Sequence, residues 1–80
     1  MERKEIEARV NKFLIEEMEI ETGDIHDDAK LKEDVGLDSL DYVDIVVIVE
    51  KTFGFKLKPE EMSEVVTMKE FYDYIESKIN

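Results

Sequence analysis

Ser39 lies in the run Gly36-Leu37-Asp38-Ser39-Leu40-Asp41, between two carboxylates, and the only histidine, His26, lies in Asp24-Ile25-His26-Asp27-Asp28. A serine hydroxyl, an imidazole and an acid are the components of a nucleophilic triad, in which the imidazole takes the hydroxyl proton and the acid orients the imidazole. Nothing around Ser39 supplies the remaining machinery. No strand-turn-helix elbow would present the hydroxyl to a carbonyl, and nothing suggests an oxyanion hole. His26, flanked by acids in a polar stretch, reads as a solvated loop residue. The same acids invite a test for calcium, but they lack the Asp-x-Asp-x-Asp-Gly spacing and distal glutamate of an EF-hand loop. There is no glycine-rich phosphate loop. The chain contains no cysteine, which excludes disulfides, thiolate metal centres and an intrinsic thiol. The reading therefore assigns no catalytic residue and no metal ligand, and any thiol chemistry must come from an added group.

The elements that would position Ser39 follow from periodicity. Ile6, Val10, Phe13, Leu14 and Met18 fall at i, i+4, i+7, i+8 and i+12, one apolar stripe down a first helix, with Gly23 available to stop it. Thr22 to Asp38 shows no sustained period. It reads as a long loop, with room for a short helical turn, pinned to the core by Ile25, Ala29, Leu31, Val35 and Leu37. A connection of that length in a small domain tends to carry function. Asp38 is a good N-cap, Asp41 adds an acid to the first turn, and no glycine or proline interrupts Ser39 to Phe53 before Gly54. A second helix is expected there. Pro59 suits the first position of a short third helix with Met62 and Val65 inward. Thr67 and Glu70 have capping-box spacing ahead of Met68, Phe71, Tyr72, Ile75 and Ile79, the stripe of a last helix. The expected fold is all-α: a four-helix bundle with a short third helix and a long loop between helices 1 and 2, forming a single domain over residues 1–80.

Eighty residues support only a modest core, so a deep, rigid catalytic cleft is not expected. The 22 acids outnumber the 11 basic residues, for a net charge of −11. From Glu16 to Glu50 there are thirteen acids against two bases, Lys30 and Lys32, whereas the rest of the chain balances at nine of each. The imbalance thus belongs to the middle of the chain. Such charge repels nucleic acid and acidic membrane surfaces and favours basic protein partners; a merely solvated acidic surface is the bland alternative. No apolar run approaches a membrane span, and residues 1–6 lack the apolar stretch of a signal peptide. A cytoplasmic monomer that binds neither nucleic acid nor membrane is expected.

The second helix carries one apolar row too many. At 100° per residue, Tyr42, Ile45, Val46, Val49 and Phe53 gather within about a third of the circumference and account for the core. Ile48 lies towards the margin of that stripe, and the Tyr42 phenol is expected at its rim. Leu40, Val43 and Val47 form a second aliphatic row on the opposite side, among Asp44, Glu50 and Lys51. Either the long loop folds over this row, or the row is a docking surface on which carboxylates steer a basic partner and methyl groups supply contact.

The stretch Glu33-Asp34-Val35-Gly36-Leu37-Asp38-Ser39-Leu40-Asp41 resembles the phosphopantetheine attachment region of acyl carrier proteins, in particular the free-standing bacterial fatty-acid-synthase type. The similarity continues through Glu50-Lys51-Thr52-Phe53-Gly54 and Pro59-Glu60-Glu61 to Thr67 and the terminal helix, so it spans essentially the whole chain. It implies a non-enzymatic carrier in which Ser39, between Asp38 and Leu40, bears a covalent 4'-phosphopantetheine. The acyl cargo would ride on that arm as a thioester, in fatty acid or related lipid or polyketide biosynthesis. It implies that Asp38, Leu40, Asp41, Val43, Asp44, Val47 and Glu50 present a recognition helix to a phosphopantetheinyl transferase and to acyl-transferring or acyl-modifying enzymes with basic patches. A peptidyl or D-alanyl carrier, or an acidic adaptor without an arm, is the alternative. An anionic phosphodiester at Ser39 would find unpaired backbone N–H groups and the positive end of a helix dipole. A small aliphatic core also suits entry of an acyl chain between helices. Lys51 stands where bacterial fatty-acid carriers more often have an acid, and Phe71 and Tyr72 are bulkier than is common in that group.

Overall fold

A computed structural model describes residues 1–79; Asn80, the last residue of the expected domain, lies outside them. The chain order is α1 (Arg3–Glu16), a single 3-10 turn (Thr22–Asp24), α2 (Ser39–Phe53), α3 (Pro59–Met62) and α4 (Met68–Ile79). The architecture is all-helical, with a four-residue third helix and a long first connection, as expected. No helix among the described residues is long and apolar enough to cross a membrane. Helix α1 packs on α4, and α2 packs on α3.

The first helix ends before the glycine expected to stop it. Glu17 is its C-cap, and Glu19 takes a left-handed φ of 57° that lets the Ile20 N–H reach the Leu14 carbonyl at 3.0 Å. Glu16, Glu17 and Glu19 crowd the negative end of the helix dipole, and no basic residue occupies the last turn to offset them. The chain therefore folds back early, and Met18 and Ile20 pack against the core from a turn instead of from the helix. Gly23 falls within the 3-10 turn.

The other boundaries follow local chemistry. Gly54 ends α2 at φ 80°, the left-handed conformation that glycine adopts without steric cost. Pro59 opens α3, where its missing N–H removes no helical hydrogen bond. At α4 the Thr67 Oγ1 accepts from the Glu70 N–H and Glu70 Oε1 accepts from the Thr67 N–H, each at 3.2 Å. That reciprocal pair satisfies two donors at the start of the helix.

The core joins all four helices and the long connection. Ile6, Val10 and Leu14 of α1, Ile45 and Val49 of α2, Met62 of α3, and Met68, Phe71 and Ile75 of α4 are fully buried. Ala29, Leu31, Val35 and Leu37 are buried too, so the connection is pinned to the core as its apolar spacing predicts, with Ile25 partly buried beside them. The bulky aromatics of α4 lie on the α1 side: Phe71 meets Phe13 edge-on at 6.5 Å, and the Tyr72 hydroxyl donates to Asn11 Oδ1. Outside this core, Arg3 ties α1 to α4 through Asp73 and Glu76 and also pairs with Glu7 of its own helix.

Burial, helped by the charges of Glu7 and Asp27, pushes the Tyr72 phenol up to about 12. Below pH 10 the phenol is protonated folded and unfolded, and its contribution to stability is complete. Between 10 and 12 the unfolded chain releases this proton first, so the folded state binds more protons and stability falls as pH rises. The urea midpoint should therefore decline between about pH 10 and about pH 12. Tyr72→Phe should start about 1 kcal/mol lower, through loss of the hydrogen bond to Asn11, and decline less steeply. Equal slopes in the two proteins would refute the assignment.

Candidate functional site

Helix α2 opens on a closed cap. Asp38 Oδ1 accepts from the N–H groups of Leu40 and Asp41, each at 3.0 Å, and Asp41 Oδ2 accepts from the Asp38 N–H at 3.0 Å. Ser39, the first helical residue, is exposed between these two anchors. The cap corrects one expectation. The N–H groups of Leu40 and Asp41 do not stand open to an outside anion, because the helix supplies its own carboxylate to them.

The long connection fixes where that cap sits. Leu31 N–H donates to the Val66 carbonyl at 2.8 Å and Met68 N–H to the Ala29 carbonyl at 2.9 Å, so the connection is stitched to the approach to α4; Lys30 and Thr67 form an isolated bridge there. Lys30 N–H donates to Asp34 Oδ2, and the Lys30 carbonyl accepts from Asp34 and Val35, which closes a tight turn. Gly36, at φ 88°, swings the chain back so that the Leu37 N–H reaches the Leu31 carbonyl. Leu37 is thereby buried two residues before Ser39.

Beside Ser39 is a cavity of about 250 Å³ lined by Ser39, Tyr42, Val43 and Val46 of α2, Pro59 and Ser63 at α3, and Lys32 of the connection. A second cavity of about 160 Å³ shares Lys32, Tyr42 and Ser63 and reaches Val65 and Val66. Neither is lined by Phe71 or Tyr72, whose bulk is absorbed between α1 and α4. Periodicity did not single out Lys32, Pro59 or Ser63 as site residues. The one signal in the sequence was that Lys32 is one of only two bases in the acidic middle of the chain.

The surplus row of α2 is uncovered. Leu40, Val43 and Val47 are 78%, 63% and 56% exposed, so the long connection does not fold over them. Asp44 and Glu50 are exposed as well, and at 100° per residue all five lie within about a third of the helix circumference, opposite Ile45 and Val49. Asp38 and Asp41 do not share that face fully: their carboxylates turn back into the cap, and Asp41 is half-buried. Tyr42 is half-buried with Lys32 Nζ 5.8 Å from its ring centroid, and burial holds its phenol above its ordinary range. His26 is exposed in its loop. Among the described residues no group of three or more histidine, cysteine or acidic side chains converges as a metal site. The Lys51 side chain stands on the exposed end of α2.

A family model for the phosphopantetheine attachment site matches residues 8–75. Two curated relatives extend the likeness over nearly the full chain. A protein of Thermotoga maritima named acyl carrier protein is 34% identical over 77 residues, covering 96% of this chain and 95% of that one. A protein of the same name from Buchnera aphidicola is 33% identical over 75 residues, covering 94% of each.

The concentration of acids on one small body has a physical consequence. The molecule spans 28 × 25 × 21 Å, and at about 0.01 M salt the screening length is about 30 Å, so its carboxylates repel one another across its full width. At 0.15 M that length falls to about 8 Å. Raising sodium chloride across this range, or adding magnesium, should raise Tm by about 5 °C, the response of a domain this small to about 1 kcal/mol of relieved repulsion. A Tm indifferent to salt would show that the repulsion is already neutralised within the fold.

Proposed function

The chain belongs to the acyl carrier proteins and is a carrier, not a catalyst; from that premise we propose that Ser39 is its point of attachment for 4'-phosphopantetheine, the group this family bears. The observation that carries the reading is the exposed Ser39 at the first position of α2, beside an apolar-lined cavity and at the head of the uncovered Leu40, Val43 and Val47 row. The local chemistry fits the group. An exposed serine on a rigidly capped turn can be reached by a modifying enzyme, and Asp38 and Leu40 hold it from either side. When bound, the group supplies the terminal thiol that a chain without cysteine lacks, and acyl cargo is held there as a thioester.

Around that point the chain's own residues divide the work. Asp38 and Asp41 lock the first turn, so the serine is displayed from a fixed position. Leu40, Val43 and Val47 offer apolar contact, and Asp44 and Glu50 set the charge that draws in a basic surface. Asp38 and Asp41 add to that field while remaining in their cap. The partners proposed are a phosphopantetheinyl transferase and acyl-transferring or acyl-modifying enzymes with basic docking patches. Tyr42, Val43, Val46 and Pro59 line the space into which an acyl chain could withdraw from water. The pathway proposed is fatty acid or related lipid or polyketide biosynthesis in the cytoplasm, served by a monomer in which residues 1–80 form one carrier domain. The acid at Asp41 and the strongly negative second helix support this over peptidyl or D-alanyl service.

Incubation with a phosphopantetheinyl transferase and coenzyme A should add the mass of one phosphopantetheine to the wild type and nothing to Ser39→Ala. An unmodified wild type, under conditions where a known carrier is loaded, would leave only an acidic adaptor. The docking row has a separate test. Val47→Glu should reduce kcat/KM for transfer of cargo to a partner enzyme about tenfold, with an unchanged helical circular-dichroism spectrum. Unchanged kcat/KM would make Val47 an incidental surface aliphatic.

A further inference from the structure

An arm at Ser39 places one more negative charge where the fold already concentrates them. The Asp38 and Asp41 carboxylates flank the site within the cap, and the first-turn N–H groups of Leu40 and Asp41 are committed to Asp38. The backbone therefore cannot provide the full anion receptor that a bare helix start would. A phosphodiester here calls for a side-chain cation. Between Glu16 and Glu50 there are two candidates, Lys30 and Lys32.

The structure distinguishes them. Lys30 Nζ is paired with Glu33 at 3.4 Å. Lys32 forms no ion pair among the described residues; its ammonium instead lies over the Tyr42 ring, 5.8 Å from the centroid, which restrains the side chain without neutralising it. Lys32 also lines the same cavity as Ser39, whereas Lys30 lines only the neighbouring one, together with Glu33. Tyr42 thus holds an unneutralised cation at the cavity that opens beside the serine. It follows Ser39 by three residues on α2, one turn along the helix.

We propose that Lys32, held over Tyr42, is the positioning cation for the phosphodiester of an arm on Ser39, drawing the root of the arm towards the cavity between α2 and α3. This rests on the attachment reading above and adds to it a residue that acts on the arm. The charge is not catalytic. It biases where the arm starts, and so which way the cargo points: towards Tyr42, Val46 and Pro59, or out over the Leu40, Val43 and Val47 row. Because the pair is exposed to water, the bias is reversible and salt-sensitive, so a partner enzyme can draw the arm outward.

The test uses the full chain with isotopically labelled lysine, examined by NMR before and after conversion by a phosphopantetheinyl transferase, with the added mass confirmed first. The Lys32 ε-methylene signal should move on conversion while that of Lys30 stays, and the movement should shrink at about 1 M salt, where screening acts over about 3 Å. The 31P signal of the arm should shift in Lys32→Gln and return towards its wild-type position in Lys32→Arg, a rescue that a purely packing role would not give. A confirmed mass gain with Lys32 unmoved and the same 31P signal in all three proteins would overturn the proposal while leaving the attachment reading intact. So would a Lys32 signal that moves only once the arm is loaded with a malonyl group, since the lysine would then be reading a carboxylate on the cargo. No mass gain at all would defeat the attachment reading itself, and this one with it.

Discussion

The reciprocal cap between Asp38 and Asp41 is the constraint on which the arrangement of the site depends. It joins two parts of the chain with different needs: a polar connection held by scattered apolar anchors and a few backbone hydrogen bonds, and a fifteen-residue helix whose two sides must face different surroundings. Loss of an N-cap typically costs about 1 kcal/mol, a large share of what an 80-residue domain has in hand. Here the cap also fixes rotation. With the Leu40 and Asp41 N–H groups bound to Asp38, the helix starts at a defined residue, and the 100° step then sets Ile45 and Val49 inward and Val43 and Val47 outward. A start displaced by one residue would turn the outward row by that same step.

The cap is secure only because the connection before it is not free. Leu31, Val35 and Leu37 are buried, and the backbone around Ala29 and Leu31 exchanges hydrogen bonds with the approach to α4. This answers how so long a segment keeps an ordered path with only a single 3-10 turn of its own. Several of its backbone groups pair with the α3–α4 link and within its own turns, while its apolar side chains add to the core. No buried side-chain nitrogen or oxygen among the described residues is left without a partner. No acid among the described residues is buried, so water and counter-ions limit their mutual repulsion.

Much of this was legible in the sequence, and what was legible is local. The start and end of α2, the proline opening α3 and the Thr67–Glu70 capping box each depend on residues within a turn of one another, so their spacing states the geometry directly. The surplus row on α2 was legible for the same reason, although only the structure decides that the loop leaves it bare. Three features were not legible. The early end of α1 arises from Glu19 taking a left-handed conformation that a rule favouring glycine directs to Gly23. The cavity beside Ser39 is made by Lys32, Tyr42 and Pro59, which belong to three separate elements. The occupied first-turn N–H groups reflect a choice the sequence leaves open, since a carboxylate at Asp38 can close the helix start or leave it for a ligand.

The placement of bulk in the core follows a related logic. The buried aromatics Phe13, Phe71 and Tyr72 lie between α1 and α4, where Phe13 meets Phe71 and Tyr72 reaches Asn11, whereas Tyr42, Phe53, Phe55 and Tyr74 are only partly buried at the margin of the core. Helix α2 contributes only Ile45 and Val49 as fully buried residues, and its partner α3 is a single turn opened by proline. The most deeply buried aromatics therefore lie away from Ser39, while the cavity beside Ser39 is lined by Tyr42, Val43, Val46 and Pro59 together with Lys32 and Ser63. Dispersion contact scales with the atoms a side chain brings, and a four-residue α3 brings few against α2. The fold sets that single turn, and the cavity it helps to line, beside the one serine that its second helix displays.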